Sequence, residues 1–192
     1  MRMRLIVVSL LACAASRASA QSAQAFSVQV SGLYAGLFGQ ANTTLKSGFG
    51  AEAQLRYTPG AVSIGGGFQW TRHSTTTAGV PLKLYGVFIE PRYVIPTRSN
   101  TVAPYVSSRI SLLKQDISDA QFRVKASGFT GNLGGGFLFR AGPRMNVDVG
   151  ASFGYTHFGD RTLTDKVNGT QTTGPGGNGS NVVGRVGLAF GI

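Results

Sequence analysis

Phe49-Gly50-Ala51-Glu52-Ala53-Gln54-Leu55-Arg56-Tyr57 alternates between two kinds of residue. One face reads Phe, Ala, Ala, Leu, Tyr, and the other reads Gly, Glu, Gln, Arg. A period of two is the signature of a β-strand whose faces meet different environments. A half-buried strand of a soluble sheet gives the same pattern, so the rest of the chain must decide between the two.

Working outward, eight such segments cover 26–38, 48–58, 61–73, 82–95, 103–114, 127–140, 144–157 and 182–192. Their connections alternate in length. Thr58-Pro59-Gly60 and Ala141-Gly142-Pro143 are short and Pro96–Val102 is a medium turn, whereas 39–47, 74–81, 115–126 and 158–181 are longer. The last of these is rich in Gly, Asn and Thr and is expected to be mobile. Short turns at one end, long loops at the other and an even strand number predict an eight-stranded antiparallel up-and-down transmembrane β-barrel, all-β in class. Strands of about ten residues suit a tilted crossing of the bilayer. Both termini then lie on the periplasmic side.

The alternation predicts which residues meet lipid. Val62, Ile64, Phe68 and Trp70 form one outer row, and Phe129, Leu133, Phe137 and Phe139 another. Met145, Val147, Val149, Ala151, Phe153 and Tyr155 form a third, and Val182, Val186, Leu188, Phe190 and Ile192 a fourth. No charge interrupts these rows, and a Lys or Arg at a lipid-facing midplane position costs ~2–4 kcal/mol. Trp70 and Tyr155 fall toward the loop ends and Tyr57 and Tyr93 toward the turn ends, as aromatic girdles would.

The opposite face carries Glu52, Gln54, Arg56, Glu90, Arg92, Arg109, Asn132, Asp148 and Arg185. In a closed barrel these point into a lumen just wide enough to be filled by side chains, where charges must pair. A turn between the fourth and fifth segments centred between Ser99 and Asn100 sets Glu90 opposite Arg109, and Asp148 and Arg185 fall on neighbouring strands. Gly65 and Gly67 are expected to face Gln54 and Glu52. The lumen is thus predicted to be an ion-paired structural plug of Glu52, Arg56, Glu90, Arg92, Arg109, Asp148 and Arg185, with a narrow ion path or proton relay as the alternative. The first strand breaks the pattern: Phe26, Val28 and Val30 share one face, but Leu33, Ala35 and Leu37 share the other. A bulge near Ser31-Gly32 would reconcile them.

Composition agrees. Of 192 residues, 28 are Gly, only 13% are charged and 42% are hydrophobic, which excludes a disordered or coiled-coil chain. Residues 1–20 read as a signal peptide: Arg2 and Arg4, an apolar run from Leu5 to Ala15, and a small-x-small site at Ala18-Ser19-Ala20. A short lead over 21–25 and the barrel over 26–192 follow. Leu10-Leu11-Ala12-Cys13 offers a competing lipoprotein cleavage site that would lipidate Cys13, the sole cysteine. Removing Arg2, Arg4 and Arg17 lowers the net charge from +11 to +8.

From 26 to 192 the chain resembles the small eight-stranded outer-membrane barrels of the OmpA, OmpX and opacity type. Gly184-Arg185-Val186-Gly187-Leu188-Ala189-Phe190-Gly191-Ile192 resembles that family's C-terminal assembly signal, carried by Leu188, Phe190 and Ile192. The family usually ends in Phe, whereas this chain ends in Ile192. The resemblance implies an outer-membrane location after export, contact with outer-membrane lipid including lipopolysaccharide, and the barrel-assembly machinery as partner. No nucleic-acid partner is expected, and the barrel is expected to be a monomer.

Catalytic signals are weak. His73 and His157, the chain's two histidines, are both expected at the outer rim as interfacial residues. Lipid A deacylases of barrel type carry His-x-Ser with a nearby Glu, whereas His157 here precedes Phe158-Gly159. No clustered His, Cys or carboxylates suggest a metal, and no cofactor is expected. Gly65-Gly66-Gly67 and Gly134-Gly135-Gly136 lie inside strands and are not phosphate loops. The expected role is non-catalytic: a membrane scaffold displaying extracellular loops for envelope integrity, adhesion or surface protection. The alternatives are a narrow pore and a lipid A-modifying enzyme.

Overall fold

A computed structural model describes residues 24–39, 45–75 and 80–192. The predicted leader, with Cys13, lies outside the described residues. Ten strands follow in chain order: β1 (Phe26–Phe38), β2 (Leu45–Tyr57), β3 (Val62–Thr75), β4 (Leu82–Val94), β5 (Val102–Ser118), β6 (Phe122–Arg140), β7 (Met145–Phe158), β8 (Arg161–Asp165), β9 (Gln171–Gly174) and β10 (Gly177–Gly191). Each of β1 to β6 pairs antiparallel with the next, β7 pairs with β10, and β10 returns to β1. Eight strands therefore close into a barrel with no free edge, which satisfies the backbone polar groups within the wall, as a bilayer demands.

The wall is apolar outside. Leu133 is 72% exposed, Phe153 and Leu112 62% and Ile110 61%. So much exposed apolar surface marks a wall that faces lipid rather than water. Aromatic residues sit near the ends of the strands: Trp70 and Tyr155 at the loop end, and Tyr57 and Tyr93 at the turn end, all exposed. Tyr57 packs on Phe26, with ring centroids 4.9 Å apart. The last strand is tied in at its end, where the Ile192 amide donates to the Phe26 carbonyl at 2.9 Å. Leu188, Phe190 and Ile192 all face outward.

The layout of the strands departs from the sequence expectations at four places. First, β1 has no bulge near Ser31-Gly32. Its register runs unbroken from Ser27↔Gly191 to Phe38↔Ser180, and against β2 from Phe26↔Tyr57 to Ala35↔Gly48. Leu33 and Ala35 are buried in the lumen, and Tyr34 faces out. The hydrophobic pattern flips because the lumen itself changes from polar to apolar along its length.

Second, the β2–β3 turn takes in four residues, Thr58 to Ala61. Ala61 is fully buried, and its carbonyl accepts the Val94 amide at 2.8 Å. This moves β3 by two residues, so Gly65 faces Arg56, Gly67 faces Gln54, and Glu52 faces Gln69. An even shift leaves every side chain on its predicted face.

Third, the 115–126 segment is mostly strand. β5 and β6 run on beyond the barrel as a hairpin that turns at Asp119–Gln121. Asp119 closes that turn by accepting the amides of Gln121 at 2.8 Å and Phe122 at 2.6 Å.

Fourth, the 158–181 segment, expected to be mobile, contains the β8–β9 hairpin. β8 pairs with the outer end of β6 through Phe122↔Asp165 to Lys125↔Thr162, and β9 pairs with β8. Gly169 takes φ +71° in the connecting turn, where its amide reaches the Asp165 carbonyl at 2.9 Å. Only glycine takes that conformation without steric cost. A four-stranded sheet thus stands on the loop end of the barrel.

Candidate functional site

The side chains that carry chemistry converge in the lumen, because the inward positions of β2, β4, β5, β7 and β10 all place a charge at the same depth. Glu52, Arg56, Glu90, Arg92, Arg109, Asp148 and Arg185 are each at most 9% exposed. Glu90 is the hub. Its carboxylate lies 2.8 Å from Arg56 Nη2, 2.8 Å from Arg92 Nη2, 2.5 Å from Arg109 Nη2 and 2.8 Å from Arg185 Nη1. Glu52 accepts from Arg109 Nη1 at 2.6 Å and from Arg185 Nη1 at 3.3 Å. Asp148 faces Arg92 Nη2 at 3.0 Å and Arg185 Nε at 3.4 Å. The β4–β5 register, Ile89↔Ile110 and Arg92↔Ser107, is the one that sets Glu90 across from Arg109.

Four arginines against three carboxylates leave one positive charge in excess. Neutral groups take up some of the remaining donors, while Nε of Arg56, Arg92 and Arg185 makes no hydrogen bond among the described residues. Gln54 Oε1 accepts from Arg56 at 2.9 Å, Ser63 Oγ from Arg56 at 2.9 Å, and Gln69 Oε1 from Arg109 at 3.1 Å. Charge-assisted bonds of this kind are roughly twice as strong as neutral ones.

Besides Ser63 and Gln69, sequence reasoning missed three further partners. The Tyr105 hydroxyl donates to Asp148 Oδ1 at 2.7 Å and accepts from Arg185 Nη2 at 2.9 Å, while its ring lies 3.9 Å beneath the Arg92 guanidinium. Phe88 offers its ring to Arg109 at 3.9 Å. Gln29 Nε2 donates to Asp148 Oδ2 at 2.7 Å. Tyr105 shares the parity of Arg109, and Phe88 that of Glu90, so the same period-two count could have found both. Gly150 makes room for the tyrosine, since a Cβ there would stand 2.3 Å from the Tyr105 hydroxyl.

Above the charges, toward the loop end, the lumen turns apolar. Leu33, Ala35, Leu84 and Leu113 line it together with Thr71, Thr130, Asn132, Thr156 and Asn181. Asn132 Nδ2 donates to Asn181 Oδ1 at 2.5 Å. The cavity in this half is about 50 Å³, the one beside Glu90, Arg109 and Arg185 about 20 Å³, and the one at the turn end about 30 Å³. At roughly 10–15 Å³ per water, each holds a few water molecules at most.

The histidines lie apart from the charges. His73 is fully buried and faces the lumen, which corrects the expectation of an interfacial rim residue. Its ring nitrogens meet Thr71 Oγ1 and the Lys46 carbonyl, each at 3.2 Å. The odd positions of β3 turn inward, and His73 follows Thr71. His157 does stand on the outer wall, bonded to Asn178 Oδ1 at 2.5 Å with its ring 5.4 Å from Phe129. Among the described residues no group of three or more His, Cys, Asp or Glu is placed to hold a metal ion.

Comparison with known proteins gives the family. The outer membrane protein beta-barrel domain matches residues 5–190. Neisserial surface protein A superposes with a TM-score of 0.66 at 18% identity, over 88% of this chain and 97% of that one. A major outer membrane protein from Thermus thermophilus gives 0.56 at 13% identity, over 86% and 99%. The outer membrane protein OprG from Pseudomonas aeruginosa gives 0.51 at 12% identity, over 90% and 97%. Identities this low speak to fold alone. No curated protein matches the chain. With its closed eight-stranded wall and apolar exterior, the chain belongs to the outer membrane protein β-barrel domain family, and its place is the outer membrane.

Proposed function

We propose that this protein is a non-catalytic scaffold that holds a sheet of loops outside the cell on a barrel closed to solutes. The observation that carries the reading is the pairing of a blocked lumen with a built loop end. Glu90 draws four arginines across the bore, while β5, β6, β8 and β9 continue as an ordered sheet beyond it. Breaking a buried ion pair by removing one partner costs about 3–5 kcal/mol, so the blocking side chains do not swing aside cheaply. Support for a non-catalytic role comes from the histidines, whose ring nitrogens engage a threonine, a backbone carbonyl and an asparagine. A general base of the usual hydrolytic type is oriented by a carboxylate instead. The export signal over 1–20, cleaved before Gln21, and insertion by the assembly machinery through Leu188, Phe190 and Ile192 belong to the same reading.

The test is topological. Val167→Cys, at the tip of the β8–β9 hairpin, reacts on intact cells with a membrane-impermeant maleimide, while Ser99→Cys in the β4–β5 turn reacts only after the outer membrane is opened. Labelling of Ser99→Cys on intact cells, with Val167→Cys protected, would refute outward display.

A further inference from the structure

We infer that the outer wall of β3, β4 and β5 is a binding site for a phosphorylated glycolipid of the outer leaflet, with Arg72, Lys83 and Lys114 holding its phosphates. The inference goes beyond display of loops and rests on the loop-out orientation proposed above. Arg72 and Lys83 are direct cross-strand partners on the outward face. Lys83 is in turn opposite Asp116, and Lys114 stands two residues below Asp116 on the same face of β5. All three cations are exposed. Like charges directly opposite one another across a sheet repel, so the arrangement is unfavourable unless an anion lies between them.

The protein supplies too little negative charge for them. Asp116, opposite Lys83 on one side and Lys125 on the other, is held by Arg123 at 3.2 Å through Nε and 2.5 Å through Nη2, so one carboxylate is shared among Lys83, Arg123 and Lys125. Among the described residues Arg72, Lys83 and Lys114 have no carboxylate within 4.0 Å. The other side of the barrel is different. Where β1 and β2 reach the loop end, the wall carries exposed Tyr34, Phe38 and Phe49.

The surroundings decide between a soluble anion and a lipid. One step toward the turn end, Trp70 lies opposite Tyr85. The next row is Phe68, Val87, Leu112 and Phe129, in register across four strands. Val87, Leu112 and Phe129 are half or more exposed, and Phe68 nearly so. A ligand with phosphate above and acyl chains below meets cations and apolar wall at once, whereas a free anion meets only the cations.

Trp70 is the chain's single tryptophan, and it reports from inside the site. The full exported chain, refolded into phosphatidylcholine nanodiscs, is titrated with bisphosphorylated lipid A while Trp70 emission is followed. A Lys or Arg near an anionic surface is worth a factor of about five. The triple variant Arg72→Gln/Lys83→Gln/Lys114→Gln is therefore expected to need at least about tenfold more lipid A for half-saturation, and lipid A stripped of its phosphates is expected to bind the wild type as weakly. A control variant at the turn end, Arg98→Gln/Arg144→Gln, titrates as wild type. Should the triple variant fail to show the heat-dependent gel shift of a folded barrel, Lys83→Gln alone is expected to give a shift of about fivefold. Equal titration of variant and wild type overturns the site. Displacement of lipid A by millimolar inorganic pyrophosphate overturns the lipid assignment in favour of a soluble anion. Since the maleimide experiment reads orientation independently, failure here and failure of the display reading are distinguishable.

Discussion

Replacing Glu90 by glutamine tests the lumen at its hub. The substitution keeps size and one carbonyl acceptor but removes the charge that four arginines share. It also turns an amide NH₂ toward guanidinium donors. The excess of positive charge in the lumen rises from one to two, with Glu52 and Asp148 left to answer four arginines. Removing one partner of a buried ion pair costs about 3–5 kcal/mol, and Glu90 serves several pairs, so Glu90→Gln is expected at the upper end of that range. Among the described residues Glu52 pairs with Arg109 and Arg185 alone, so Glu52→Gln is expected at the lower end of that range, about 3 kcal/mol. The assay is urea unfolding of the barrel in lipid vesicles, scored by the heat-dependent gel shift. Adding Arg109→Gln to Glu90→Gln returns the lumen to its original excess of one positive charge and should recover part of the loss as a positive coupling. Glu90→Gln within about 1 kcal/mol of wild type, below the lower bound for a broken buried pair, would refute the reasoning. So would a larger loss from Glu52→Gln.

Three further outcomes are expected. Ile110→Arg, on the middle of the outer wall, should cost ~2–4 kcal/mol of folding free energy in vesicles, whereas Val167→Arg at the loop tip should leave it unchanged. Gly150→Ala should push the Tyr105 hydroxyl off Asp148, read as a changed Tyr105 environment in near-ultraviolet circular dichroism with the barrel still folded. Asp119 is held below the usual carboxylate range by the Phe122 and Gln121 amides that it accepts. The β5–β6 turn should therefore be fully ordered above about pH 4, the ordinary value for an aspartate, and should loosen as pH falls through the lower folded value. Amide hydrogen exchange at Gln121 and Phe122, followed against pH, checks this.

Most of the barrel was legible because a bilayer-spanning wall writes period two into every strand, and eight strands repeated it. Placement of charge was legible for the same reason: parity alone sends Glu52, Glu90, Arg92 and Asp148 inward. Parity says nothing about what the inside is like at each depth. Leu33 therefore looked misplaced until Leu84 and Leu113 were seen beside it in an apolar outer lumen. The β2–β3 register depended on whether Ala61 belongs to the turn or the strand, which its burial against Val94 settles and its identity does not. β8 escaped the count because its five residues, Arg-Thr-Leu-Thr-Asp, form a strand by docking on β6 rather than by an alternation of their own. Tyr105 was readable by parity but not by type, since an inward tyrosine is defined by the Asp148 and Arg185 that flank it.

The closed lumen is tested most directly by current through the refolded chain in a planar bilayer, after the gel shift has shown it folded. With Glu90 and its four arginines across the bore, and cavities that admit only a few waters, a silent trace is predicted. Discrete current steps of fixed size, altered by Arg109→Ala, would contradict a plugged barrel and make the protein a narrow pore.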